Sequence, residues 1–174
     1  AAGEAEIVIA GGMENMSQVP HYLNARNGIK FGDIKMRDGM LVDGLTDVYN
    51  KVHMGNCAEI CAKEKNITRE EQDAFAITSY NRASDAWDKG SFDAEVVPVE
   101  VPQRRGEPVV FAKDEEYSNV RMDKIPSLRP AFDKEGTITA ANASTLNDGA
   151  SAVVLASEEA VAKYDLKPIA KILG

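Results

Sequence analysis

Ile7-Val8-Ile9-Ala10 is a continuous apolar run closed by Gly11-Gly12, the pattern of a buried strand released into a tight turn. Near the other end, Ser151-Ala152-Val153-Val154-Leu155-Ala156 repeats the buried-strand pattern, and Ile169 to Leu173 begins another strand after Lys167-Pro168. Between them the apolar period lengthens. Thr68-Arg69-Glu70-Glu71 supplies a capping box, in which the hydroxyl takes an orphan amide and Glu71 reaches back to the cap. Phe75, Ile77, Tyr80, Ala83, Ala86 and Trp87 follow at three- and four-residue spacings, and Lys89-Gly90 closes the helix with a cation and a glycine tolerant of positive φ. Shorter helices are predicted over Asn56 to Lys65, broken at Asn66, and over Glu158 to Tyr164. Glu95 to Val101 is strand-like, but Pro98 removes a ladder donor and implies an edge position, with Val109-Val110-Phe111 as partner. Met13 to Asn50 shows little periodicity and reads as a loop excursion; Lys113 to Arg129 reads as a surface connection with one helical turn. The prediction is an α/β fold, with strands at both ends and a long helix-bearing insertion between them.

The 174 residues suffice for one domain, or one and part of another, on a prior of roughly 150 per domain. A formal charge of −8 argues against a nucleic-acid partner, which needs a cation surplus. Locally the balance reverses: Arg26, Lys30, Lys35 and Arg37 face only Asp33 and Asp38, either a solvated face or a contact for an anion or another subunit. No apolar run is long enough to span a membrane, and two cysteines cannot make a disulfide framework, so an intracellular, reducing compartment is expected. Cys57 and Cys61 would share one helix face, but a closed zinc site needs two more ligands, and both read as small packing residues. His53, in Val52-His53-Met54-Gly55, reads as structural when taken alone; His21 is less informative, and no nucleophile-base pair can be assembled. The first residues carry neither an initiator Met nor a targeting pattern, from which a fragment is expected.

Gly136 to Ala150 is nearly free of bulk. Such a run gives up packing, either to let main chain approach a ligand or to make a tight strand-turn-strand junction. Together with Ala10-Gly11-Gly12-Met13-Glu14-Asn15-Met16-Ser17, Asp43-Gly44-Leu45-Thr46-Asp47, His53-Met54-Gly55, Glu71-Gln72-Asp73-Ala74-Phe75-Ala76 and Arg129-Pro130-Ala131-Phe132, it resembles the thiolases. The likeness is strongest to the short-chain acetoacetyl-CoA branch of biosynthetic and mitochondrial type.

The resemblance implies a layered α/β thiolase fold held in part: residues 1–15 and 147–174 from the N-terminal domain, and 16–146 as an inserted loop domain. It implies an acyltransferase that condenses two acetyl-CoA to acetoacetyl-CoA, reversibly, through an acyl-cysteine. That cysteine would precede Ala1, and the catalytic His and second Cys would follow Gly174. The chain would then hold no catalytic residue and be inactive alone; Cys57 and Cys61 match neither cysteine. CoA, the substrate carrier, would be bound by Leu45, His53, Met54, Tyr80, Lys124, Ala140 and Ser144, with no covalent cofactor. Asn119 stands where relatives of this type place an arginine. Potassium would be held by Tyr80 and the carbonyls of Ala140, Ala141 and Ala143. Residues 22–41 would make a homotetramer, in the cytoplasm or the mitochondrial matrix. The alternatives are a longer-chain 3-ketoacyl-CoA thiolase and a non-catalytic CoA-binding relative.

Overall fold

The computed structural model describes residues 3–173, which divide into two compact units. One comprises residues 3–42 and 146–173; the other is the continuous stretch 43–145.

The first unit is built on an antiparallel ribbon of β1 (Ile7–Asn15) and β6 (Asp148–Ala156), in unbroken register from Ile7 opposite Ala156 to Asn15 opposite Asp148. The turn expected at Gly11-Gly12 does not form, and the strand runs through it. Gly11 is required for a different reason: a Cβ there would stand 2.7 Å from the Ser151 carbonyl oxygen, so the glycine permits close approach of the two strands. The apolar runs expected to be buried are open to solvent, with Ile9 77% and Val154 66% exposed. A continuous apolar run suits a strand covered on both faces, and among the described residues β1 and β6 pair only with each other. Ser17 closes the ribbon's end, donating from its amide and hydroxyl to Asp148 at 2.9 and 2.7 Å. At the other end, Ser157 donates its amide to the Glu6 carbonyl and caps α4 (Glu158–Lys163). Within the excursion, β2 (His21–Tyr22) pairs with β3 (Arg37–Asp38) and leads to a π-helical turn at Met40–Gly44. Among the described residues the strand expected from Ile169 does not form: residues 169–173 are irregular and enter no ladder.

In the second unit, α1 (Met54–Lys65) starts two residues earlier than expected, because His53 is its cap, with Nδ1 accepting from the Gly55 amide at 2.9 Å. It stops at Asn66, whose φ of 55° is left-handed. The capping box opens α2 (Arg69–Asp88), which ends ahead of Gly90 at φ +68°. Of the expected Glu95–Val101 strand only the part after Pro98 pairs, as β4 (Val99–Val101) against β5 (Val109–Phe111). The expected helical turn is α3 (Glu116–Asn119), followed by a 3-10 turn over Met122–Ser127. Trp87 stacks on Tyr117, tying the end of α2 to α3. The core is small: Ala62, Ala76, Ile125, Ile138, Thr139 and Ala141 are buried, together with Asp73.

Gly55 lies under the Phe132 ring, leaving no room for a Cβ, and that ring also stacks on His53 at 4.8 Å. Gly55→Ala should therefore cost about 1–3 kcal/mol by overpacking, read as a lower denaturation midpoint. An unchanged midpoint would show that the ring can move aside freely.

Candidate functional site

The small-residue run has two structural fates. Asp148 to Ala150 belong to β6, whereas 137–145 fold as a loop against α1 and α2. Ile138 is the loop's one large buried side chain, and hydrogen bonds from helix side chains hold the rest. The Glu59 carboxylate accepts from the Thr137 amide and hydroxyl and from the Ile138 amide, at 2.8–3.1 Å. Gln72 donates to the Thr137 hydroxyl at 2.9 Å. The Asn142 amide group donates to Asp73 Oδ1 at 3.1 Å and to the Thr137 carbonyl at 3.0 Å, while its oxygen accepts from the Thr139 amide at 2.7 Å. Asp73, only 6% exposed, also pairs with Arg69 Nε at 2.7 Å. The same guanidinium donates to the Ile125 and Leu128 carbonyls, so one network reaches both the loop and the 3-10 turn.

Between this loop, one face of α2 and α3 lies a cleft of about 620 Å³, within the range of small-molecule sites. Gln72, Ala76 and Tyr80 present that face of the helix, while Ala141, Ala143 and Ser144 form the opposite, low wall. Its charged lining residues are Glu71 and Glu116, with no lysine or arginine. Phe75, 73% exposed, also borders it. The Tyr80 hydroxyl stands 3.4 Å from both Glu116 Oε1 and the Ala141 carbonyl oxygen. Burial pushes the Tyr80 phenol above its ordinary pKa, and the charge and hydrogen bond of Glu116 push the same way. The neutral phenol is a hydroxyl donor whose oxygen is still free to accept or ligate.

The expected site residues fall into three places within residues 43–145. Tyr80, Ala141, Ala143 and Ser144 line the cleft, and Ala140 stands beside it, solvent-exposed. Leu45, His53 and Met54 gather at the start of α1 and are not among the cleft's lining residues: the Met54 amide donates to the Leu45 carbonyl, and Thr46 bridges to His53. Because His53 Nδ1 accepts from Gly55, the proton of the neutral ring is on Nε2. Lys124 lies on the 3-10 turn, solvent-exposed and 3.5 Å from Asp123. Sequence reasoning passed over Glu116, Phe75, Gln72 and Asp73; the last three share the helix that carries Tyr80, and spacing from Tyr80 would have found Gln72 and Ala76. Cys57 is half-buried and Cys61 exposed, both as free thiols. Among the described residues, no three His, Cys, Asp or Glu side chains converge as a metal site, and no helix is long and apolar enough to cross a membrane.

The ordered motifs and the fold are those of the thiolases, and the chain belongs to that family: residues 1–159 match the model of the thiolase N-terminal domain. The chain is 55% identical over 173 residues to the mitochondrial acetyl-CoA acetyltransferase of Danio rerio, covering 99% of this chain and 41% of that protein. It is 52% identical over 174 residues to a cytosolic acetyl-CoA acetyltransferase of Gibberella zeae, covering 99% and 44% respectively. In structure it is similar to Acat5 thiolase from Ascaris suum, solved in complex with coenzyme A, with a TM-score of 0.85 and 49% identity over 99% of this chain and 44% of that one. The chain thus spans less than half the length of these relatives. The expected thiolase fold, held in part, is what the comparison finds.

Asn142→Asp removes both side-chain donors and sets a second carboxylate against Asp73. It should cost about 1–3 kcal/mol at neutral pH, with part regained as acid protonates the new carboxyl. Denaturation at pH 7 and pH 4 checks this; equal stability to the parent at pH 7 would contradict the network's role.

Proposed function

We propose that this chain is the coenzyme-A-binding part of an acetyl-CoA acetyltransferase that condenses two acetyl-CoA to acetoacetyl-CoA and cleaves it in reverse. The cleft is the observation that carries the reading. A wall of main chain and small side chains at Ala141, Ala143 and Ser144 suits a long, flexible, uncharged arm bearing amides, which is the chemistry of pantetheine. Naming of the relatives as acetyl-CoA acetyltransferases and the coenzyme A complex of the Ascaris suum thiolase support the same ligand.

The charge of the lining determines which end of CoA belongs there. Two carboxylates and no cation disfavour phosphates, so the nucleotide end lies outside the cleft, where Lys124 is solvent-exposed and able to reach an anion. Asn119 adds no charge to that end. Ser144 offers a hydroxyl and Ala140 a carbonyl to the arm's amides, while Leu45, His53 and Met54 guide its thiol end. His53 can donate only from Nε2 while Nδ1 caps α1. The acyl-accepting cysteine, and the groups that move the proton from the second acetyl-CoA, lie outside this chain. Its own contribution is binding and orientation, which lower the barrier by fixing the reacting ends together.

A potassium ion fits the donor set near Tyr80: a neutral hydroxyl and the carbonyls of Ala140, Ala141 and Ala143 are hard oxygens with no nitrogen or sulfur among them. When bound, the ion supplies a fixed positive charge that stiffens the loop. Residues 22–41 make the homotetramer contact, and the protein works in the cytoplasm or the mitochondrial matrix.

Ala143→Leu in the full-length protein should fill the low wall and raise the KM for CoA in acetoacetyl-CoA thiolysis by about tenfold or more, with a smaller effect on kcat. An unchanged KM would remove the cleft from CoA binding. Cleavage of acetoacetyl-CoA should exceed that of a longer 3-ketoacyl-CoA, and a reversed preference would favour the longer-chain thiolase reading.

A further inference from the structure

The carboxylate of Glu116 has no role in the reading above, yet it faces the same hydroxyl as the cation site. Tyr80 carries one phenolic proton, and two acceptors compete for it at equal distance: Glu116 Oε1 and the Ala141 carbonyl oxygen, each 3.4 Å away. Both separations are long for an O–H···O bond, whose usual length is about 2.7–2.8 Å. The Tyr80 hydroxyl thus has two oxygen neighbours, one of them from a carboxyl group, and no lysine or arginine lines the cleft beside them. Glu71, the other acidic lining residue, is already engaged in the capping box through the Thr68 amide at 2.8 Å. Glu116 has no comparable commitment: its only side-chain partner among the described hydrogen bonds is Tyr80. Oxygens that surround a large monovalent ion stand further apart than oxygens that share a proton, and this spacing is of the wider kind.

We propose that Glu116 is the charged ligand of the monovalent-cation site formed with the Tyr80 hydroxyl and the Ala141 carbonyl, and that its carboxylate sets how tightly the ion is held. This rests on the cation reading of the Tyr80 site and deepens it. One carboxylate among neutral oxygens matches a single positive charge. A divalent ion such as calcium is typically given more oxygens and more carboxylates than the described residues gather here. Binding the ion also relieves the competition for the phenolic proton, because Glu116 and Ala141 both turn their lone pairs to the cation. The ion thereby joins α3 to the loop at the wall of the cleft, since Glu116 belongs to one and Ala141 to the other.

Potassium binding is measured by isothermal titration of the full-length protein with KCl in choline chloride, for the parent and for Glu116→Gln, Glu116→Asp, Glu115→Gln and Tyr80→Phe. Glu116→Gln should weaken potassium by about tenfold or more, with Glu116→Asp between it and the parent. Glu115→Gln removes an equal charge from a neighbour that does not contact Tyr80 and should stay within twofold of the parent. If Glu116→Gln binds potassium as the parent does while Tyr80→Phe loses it, the cation site stands and the role of Glu116 is refuted. Equal weakening by Glu115→Gln would reduce Glu116 to a general charge effect and also refute it. No potassium heat in the parent would overturn the cation reading itself, and this proposal with it.

Discussion

A loop without side-chain bulk can face a ligand only if something else holds it still, and here that is a set of hydrogen bonds reaching across from two helices. Glu59 on α1 and Asp73 on α2 are the fixed acceptors: Thr137 and Ile138 answer Glu59, and Asn142 answers Asp73, with its other donor on the Thr137 carbonyl and its oxygen on the Thr139 amide. Beyond the buried Ile138, hydrophobic burial contributes little in this region, because Ala, Ser and Thr offer small apolar area. The geometry of the low wall therefore depends on directional contacts in a part-buried, low-dielectric setting, where each satisfied bond counts and each lost one leaves a stranded polar group. Arg69 extends the same dependence: by pairing with Asp73 and holding the Ile125 and Leu128 carbonyls, it ties the turn that carries Lys124 to the loop that borders the cleft.

That arrangement separates the tasks of binding by charge. The cleft is lined by acidic and neutral groups, fit for an uncharged arm or a cation, and the solvent-exposed Lys124 stands outside it. The acidic lining of the cleft thus has the sign of the chain's net charge of −8, and an anionic group is disfavoured there. The basic stretch around Arg26 to Arg37 is in the other unit.

Local chemistry was legible in the sequence where the signal is itself local. The Thr68 and Glu71 capping box, the stop at Lys89-Gly90 and the break at Asn66 all appear as read, since each depends on residues within one turn. Gly11-Gly12 misled because a glycine pair marks a turn and a close strand approach alike, and only the Ser151 carbonyl opposite distinguishes them. Periodicity counted Phe75 on the apolar face of α2, yet it is exposed beside the cleft, while the charged Asp73 is buried. The competing effect is the hydrogen-bond network, which periodicity does not encode. Glu116 was illegible for a related reason: it lies 36 residues from Tyr80, and nothing in its neighbours Glu115 and Tyr117 distinguishes it. The motifs that marked the family, by contrast, are ordered along the whole chain and needed no geometry to be recognised.

Chemical-shift perturbation of the backbone amides on titrating the full-length protein with CoA tests the role of the low wall most directly. The amides of Ala143, Ser144 and Thr145 should shift and saturate together with those of His53 and Met54, because one pantetheine arm would touch both groups. Saturating shifts confined to the start of α1, with the Ala143 to Thr145 amides unmoved, would contradict the assignment of the cleft to coenzyme A.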